Sequence, residues 1–236
     1  MERGKIMVAK PEGIQVDSLR PTIAELERIL KWSFRSLGMD QLYIDRQGIA
    51  EQLERVTVVV ETTAKRPNVL GHFLCKTAQT AWRTREGEAI SEIKISAEYL
   101  QRDPMEIAAT VIHEALHLWN WYLGLKDTSS GGAYHNKLFK EQAKLIGLET
   151  GEISGPGHGY AHTTMSEELE TKVRKQLKPK LEAFQIFKEM APKKKTVRKP
   201  KLALWECQCV IKLRVAYDTE LNAKCDDCGE QFEKKN

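Results

Sequence analysis

Residues 103–124 set the frame for everything else in this chain. Asp103, Pro104 and Glu106 make a helix start: the Asp side chain suits the N-cap, proline suits the first helical position, and Glu106 stands in the first turn. Ile107, Ala108, Val111, Ala115, Leu118 and Tyr122 then recur at helical spacing until Gly124, so one stripe of the helix is expected to be buried. His113 and His117 stand in its middle. Being four residues apart, they lie about one turn up the same face, and both imidazoles can reach one ion. Glu114 lies about 100° round from His113, near enough to address a water on that ion. Zinc held by neutral nitrogens with one open position lowers the pKa of its water towards about 7. A neighbouring carboxylate can then take the proton as the water attacks a carbonyl.

Catalytic zinc usually has three protein ligands, and His135, His158 and His162 follow downstream. His135 is the best placed: it is expected to open the next helix, after a loop from Gly124 that lets this helix fold back on the first. Its neighbours Phe139 and Ala143 can bury the opposite face. His158 and His162 remain alternatives. The inert reading is a surface helix whose two histidines bind nothing.

The flanking sequence supplies a small scaffold. Thr22 and Glu25 have capping-box spacing and open an amphipathic stretch through Leu26, Ile29, Leu30, Phe34 and Leu37 that Gly38 closes. Residues 56–60, 71–75 and 92–96 read as strands, with a charged turn at 83–88. Leu138, Phe139, Ala143 and Ile146 mark a further helix, ending near Gly147. A glycine-rich loop at 151–159 precedes a mixed helical segment at 166–190. Tyr134, His158, Tyr160 and His162 are the nearest donors for an oxyanion, and none is assigned that role. His72, on an expected strand, reads as structural.

Cys75 stands alone and reads as a buried thiol. Cys207 and Cys209, then fifteen residues, then Cys225 and Cys228 followed by Gly229, have the layout of a zinc ribbon. About 30 residues cannot stabilise themselves by hydrophobic burial alone, so zinc must supply much of the folding free energy. With all four thiolates used no position is open, and this second zinc is expected to be structural.

No apolar run approaches the ~20 residues of a membrane span, and Met1, Glu2, Arg3 and Lys5 make a charged start. A cytoplasmic protein without a membrane partner is the expectation. The net charge of +4 conceals a strong asymmetry. Residues 171–204 hold twelve Lys/Arg against two Glu, a balance of +10, which leaves −6 for the remainder. Such segregation points to a polyanionic partner for the basic stretch, with a solvated helix and linker as the plain alternative. Lys193, Lys194, Lys195, Arg198, Lys199 and Lys201 are the expected contacts to DNA, through phosphates and without sequence preference.

His113-Glu114-x-x-His117, with His135 and Phe139 after it, resembles the SprT-like metallopeptidases, which include bacterial SprT proteins and Spartan-type DNA–protein crosslink proteases. Gly71-His-Phe, Ile93 to Tyr99, and Lys126-Asp-Thr-Ser are similar to phage- and prophage-type members. Trp205-x-Cys207 and Cys228-Gly-x-x-Phe232 are similar to the family's terminal ribbon. The resemblance covers about residues 20–150 and 203–233. It implies a catalytic zinc on His113, His117 and His135, with Glu114 as base. Many relatives have His-Gly before the Phe, where this chain has His135-Asn136.

The expected architecture is α+β: a zincin-like metallopeptidase domain with a small sheet and an active-site helix, plus a C-terminal zinc ribbon. The expected boundaries are an N-terminal tail (1–20), the metallopeptidase domain (21–165), a helical and basic linker (166–203) and the ribbon (204–236). The expected function is zinc-dependent hydrolysis of peptide bonds. Its substrate class, DNA-associated or DNA-crosslinked proteins, comes from the resemblance and the charge map. A metal-dependent hydrolase of a non-peptide substrate and a non-catalytic nucleic-acid-binding adaptor are the competing classes.

Overall fold

The computed structural model describes residues 18–39, 55–62, 69–151, 158–189 and 201–235. The chain divides into two compact units, residues 1–191 and 192–236. Both are built from short strands, and the described helices all fall in the larger one, giving a mixed α+β protein with small sheets.

In the larger unit, helix α1 (Arg20–Ser36) leads to strands β1 (Val56–Glu61), β2 (Gly71–Leu74), β3 (Trp82–Arg83) and β4 (Ala89–Ser96). β4 is central: β1 runs parallel to it on one side, and β2 runs antiparallel on the other. β3 pairs with the start of β4. Val58 and Phe73 both stand opposite Ile93, so these side chains share a face of the sheet. That face joins Leu26, Ile29 and Phe34 of α1 in the core, together with helix α2 (Pro104–Tyr122). Burying a side chain of that size is worth about 1.5–3 kcal/mol, and α2 contributes Ile107, Val111, Ile112, Leu116 and Leu118, each at most 1% exposed. The Asp103 side chain caps α2, accepting the Met105 N–H at 2.7 Å, as its position in the sequence predicts.

Two local expectations are corrected. Thr22 and Glu25 do not form a capping box: α1 begins at Arg20, with Pro21 in its first turn and no side-chain cap. Their polar groups are used in tertiary contacts instead. Thr22 Oγ1 donates to the Ala183 carbonyl at 2.6 Å, and Glu25 Oε1 accepts the Lys180 N–H at 3.0 Å. Arg28 completes this seam by bonding both Glu25 oxygens and the Leu177 carbonyl. Residues 166–190 are mixed helical, as expected, but they pack on the larger unit and do not serve as a linker. α4 (Glu167–Lys172) passes into one π-type turn, Lys178 turns left-handed before Pro179, and a 3-10 turn covers Leu181–Phe184. Leu169, Val173, Leu177, Ala183 and Phe184 belong to the main core, which carries the compact unit past residue 165.

Glu25 should give the seam its pH dependence. Burial alone would raise its carboxyl pKa; hydrogen bonds from Arg28, then the Lys180 N–H, overcome this and hold it below the ordinary value of about 4.5. The folded pKa therefore lies under the unfolded one. The stabilisation is complete above about pH 4.5 and is lost as pH falls through the lower, folded value. Glu25→Gln is expected to cost about 2 kcal/mol at pH 7 by urea unfolding, because it leaves Arg28 short of its partner. That cost should shrink on acidification; an equal cost at pH 7 and pH 3 would show that the ion pair contributes nothing.

Further along, β5 (Thr128–Ser129) pairs with β6 (Tyr134–His135), and α3 (Lys137–Leu145) follows. β7 (Leu148–Thr150) pairs with β8 (Thr163–Met165). The smaller unit is a three-stranded antiparallel sheet in the order β10-β9-β11, with β9 (Leu202–Glu206) between β10 (Lys212–Ala216) and β11 (Glu233–Lys235). Among the described residues, no helix is long and apolar enough to cross a membrane.

Candidate metal centres

α2 presents His113 and His117 on one face, as their spacing requires, and β6 brings His135 to them. Their Nε2 atoms converge: 3.2 Å between His113 and His117, 3.1 Å between His113 and His135, and 2.9 Å between His117 and His135. Among the described residues only these three histidines form such a group. His135 does not open the helix, as its sequence position suggested. It ends a strand, and Asn136 is the N-cap of α3, its Oδ1 accepting the Phe139 N–H at 3.2 Å. Asn136 thus starts a helix that seats Phe139, fully buried, against all three imidazoles.

The hydrogen-bond partners on the far side of the rings show what the cluster suits. His117 Nδ1 lies 2.7 Å from Asp127 Oδ2, an oxygen that also accepts from Asn120 at 2.9 Å. An ionised carboxylate only accepts, so His117 carries its hydrogen on Nδ1 and turns the Nε2 lone pair inward. His113 Nδ1 lies 2.9 Å from Thr163 Oγ1. Three ring nitrogens in mutual contact cannot all be donor–acceptor pairs, and converging lone pairs repel unless a cation sits between them. Tetrahedral zinc–nitrogen bonds of about 2.05 Å place ligand nitrogens about 3.3 Å apart, close to the separations found. The group fits a metal such as zinc.

The site also favours the neutral, ligating form at His113 and His135. Burial drives the His113 pKa well below its usual value, with the charges of His117 and His135 adding to the effect. Burial and then His117 lower His135 to about 4, against the opposing pull of Asp127 and the His158 carbonyl. Glu114 is buried, and this desolvation pushes its carboxyl up to about 7, although His117 and a bond from the Phe73 N–H work the other way. Gly71 makes room for it: a Cβ there would stand 2.7 Å from Glu114 Oε1.

The remaining histidines and tyrosines take other places. His158 acts through its carbonyl, which accepts the His135 N–H at 3.2 Å, and the His162 carbonyl accepts from Gly151. Tyr160 packs on the core beneath Lys140, and Tyr134 pairs across β5–β6. His72 is exposed on β2, opposite Lys94. Cys75 is only half-buried, with its thiol 3.2 Å from Thr77 Oγ1, which corrects the expectation of a buried thiol. Asp127 and Thr163, which stand behind two of the rings, carry no role in the sequence reading. Asp127 stood within a quoted motif, while nothing in the local sequence marked Thr163.

The second centre gathers Cys207, Cys209, Cys225 and Cys228, with all ligand atoms within 4.8 Å of one another. Sulfur separations of 3.0 Å (Cys207–Cys209) and 3.4 Å (Cys209–Cys225) far exceed a disulfide bond of about 2.05 Å. They lie nearer the roughly 3.8 Å expected around tetrahedral zinc. Two turns present the thiols. In the first, the Val210 N–H bonds the Cys207 carbonyl with Val210 at positive φ, so the strand expected at 210–215 starts only at Lys212. In the second, the Gly229 N–H bonds the Cys225 carbonyl at 2.8 Å. The Glu230 backbone N–H lowers the Cys228 thiol to about 7, which favours the ligating thiolate. Cys209, sharing hydrogens with Cys207 and Cys225, is pushed up to about 12. The donor set suits a structural metal such as zinc in a ribbon.

Of the expected DNA contacts, Lys201 is exposed at the start of the smaller unit. Lys193, Lys194, Lys195, Arg198 and Lys199 lie outside the described residues. No protein-family model, curated protein or solved structure matches this chain.

Proposed function

We propose that this chain is a zinc-dependent metallopeptidase of the SprT-like, zincin type, with its catalytic centre at His113, His117 and His135. The observation that carries the reading is the convergence of three Nε2 atoms within 3.2 Å beside a buried carboxylate, Glu114. Zinc bound there supplies an acidified water and a positive charge that stabilises a developing oxyanion. The protein's own groups do the rest. Asp127 holds His117 in the ligating tautomer, Phe139 packs against the rings, and Glu114 accepts the water's proton and returns it to the leaving amine. A site serving structure alone gains little from a carboxylate placed there, which favours an enzyme over an adaptor.

The substrate class we propose is protein bound or crosslinked to DNA. Support comes from the +10 balance over residues 171–204 and from the SprT resemblance. The smaller unit is a weak phosphate contact by itself, since residues 205–236 hold five Lys/Arg and seven Asp/Glu. The basic stretch before it is the better one.

The test is cleavage of an unfolded protein by the zinc-loaded chain, with and without single-stranded DNA. Cleavage should stop with a chelator, return with zinc, and rise with DNA in a salt-sensitive manner. Intact protein beside turnover of small esters would favour the non-peptide hydrolase, and DNA-independent cleavage would remove the substrate proposal alone.

A further inference from the structure

We propose that residues 158–163 form a positioning strap for the histidine centre, in which Thr163 orients the His113 ring by accepting its Nδ1 hydrogen and Gly159 fixes the place of His135. This rests on the metal-centre reading above and assigns roles to two residues outside its ligand set.

A neutral imidazole that offers its Nε2 lone pair must carry hydrogen on Nδ1. His117 has Asp127 to accept that hydrogen. Among the described residues His113 has the Thr163 hydroxyl oxygen, 2.9 Å from Nδ1, and the residue is buried. Thr163 therefore accepts that hydrogen in the ligating form and holds the ring's rotation. Its own position is fixed by β8, where it stands opposite Thr150 of β7.

His135 is held in another way. Among the described residues its buried Nδ1 has no side-chain partner like those of the other two rings, and its main chain is tied to the strap instead. The His135 N–H donates to the His158 carbonyl at 3.2 Å, and the Tyr160 N–H donates to the His135 carbonyl at 3.0 Å. These two bonds make a parallel bridge to Gly159, which lies at φ +59°. A Cβ on Gly159 would fall 2.0 Å from the His135 carbonyl oxygen. That is a backbone clash that no rotamer relieves, so any larger residue must displace His135 or break the bridge.

The test is cobalt(II) affinity at the histidine centre of the full chain, with zinc kept in the cysteine centre and a competing chelator present. Binding is read from the visible bands of histidine-bound cobalt. Thr163→Val, which keeps the shape and removes the acceptor, should weaken binding roughly 10-fold and shift the bands; Thr163→Ser should restore both. Gly159→Ala should weaken binding by roughly 100-fold. Retained zinc and an unchanged far-UV spectrum show that each variant folds. Should Gly159→Ala fail that check, the Thr163 pair decides alone. Wild-type affinity in folded Thr163→Val, or a serine that does not restore it, overturns the proposal. Absence of cobalt from the wild-type histidine centre would instead overturn the metal-centre reading itself.

Discussion

Glu114→Gln is expected to keep both metal ions and the fold while slowing peptide hydrolysis by between about 10² and 10⁴. The substitution is close to isosteric, which matters because Glu114 has no slack: it lies against the backbone of Gly71, whose Cβ would stand 2.7 Å from Oε1. An amide fits the same space and leaves His113, His117 and His135 untouched. What it lacks is basicity. Burial raises the proton affinity of this carboxylate, and an amide in its place can accept no proton at all. The measurement is turnover of a protein substrate by wild type and variant at matched zinc content. Undiminished turnover would remove Glu114 as the base and, with it, the mechanistic part of the proposed function.

The second large effect is expected in the smaller unit. Cys225→Ser should lose one of two zinc ions per chain and unfold residues 201–235, leaving the larger unit intact. Its buried apolar core amounts to Ala203, Trp205, Cys207, Cys225 and Phe232, and two of those five belong to the candidate metal centre. β10 is exposed along nearly its whole length, so strand pairing brings little burial with it. A structural zinc contributes about 10–16 kcal/mol of apparent binding free energy, more than such a core can replace. Amide exchange over β9 and β10 checks this directly: their protection should vanish while that of α2 persists. Protection that survives the substitution would show that the sheet folds without its metal.

The elements legible in the sequence were those written in local chemistry. α2 was readable from end to end, since Asp103 caps it, Pro104 starts it and its apolar spacing is regular. The cysteine spacing likewise foretold the four-thiol cluster, and helical periodicity foretold that His113 and His117 share a face. Capping-box spacing at Thr22 and Glu25 misled, because the same oxygens that can cap a helix can equally bind a distant backbone. The 166–190 segment was legible only in part. Leu169, Val173 and Leu177 recur every four residues, as one buried helical face requires, whereas Ala183 and Phe184 join the same core only because the chain turns at Lys178.

By itself, then, the sequence determined the helix that carries two imidazoles and a carboxylate, the four thiols of the small unit, and the uneven spread of charge. Only the tertiary structure decided that His135, the best placed of three candidates, and not His158 or His162, joins the group, that Asp127 and Thr163 stand behind two of its rings, and that Gly159 bridges to the third. The physical reason is range. Helical periodicity and turn chemistry act over a few residues, whereas Thr163 meets His113 across fifty positions of chain. A contact of that kind exists only after β-pairing and core burial have brought the two segments together.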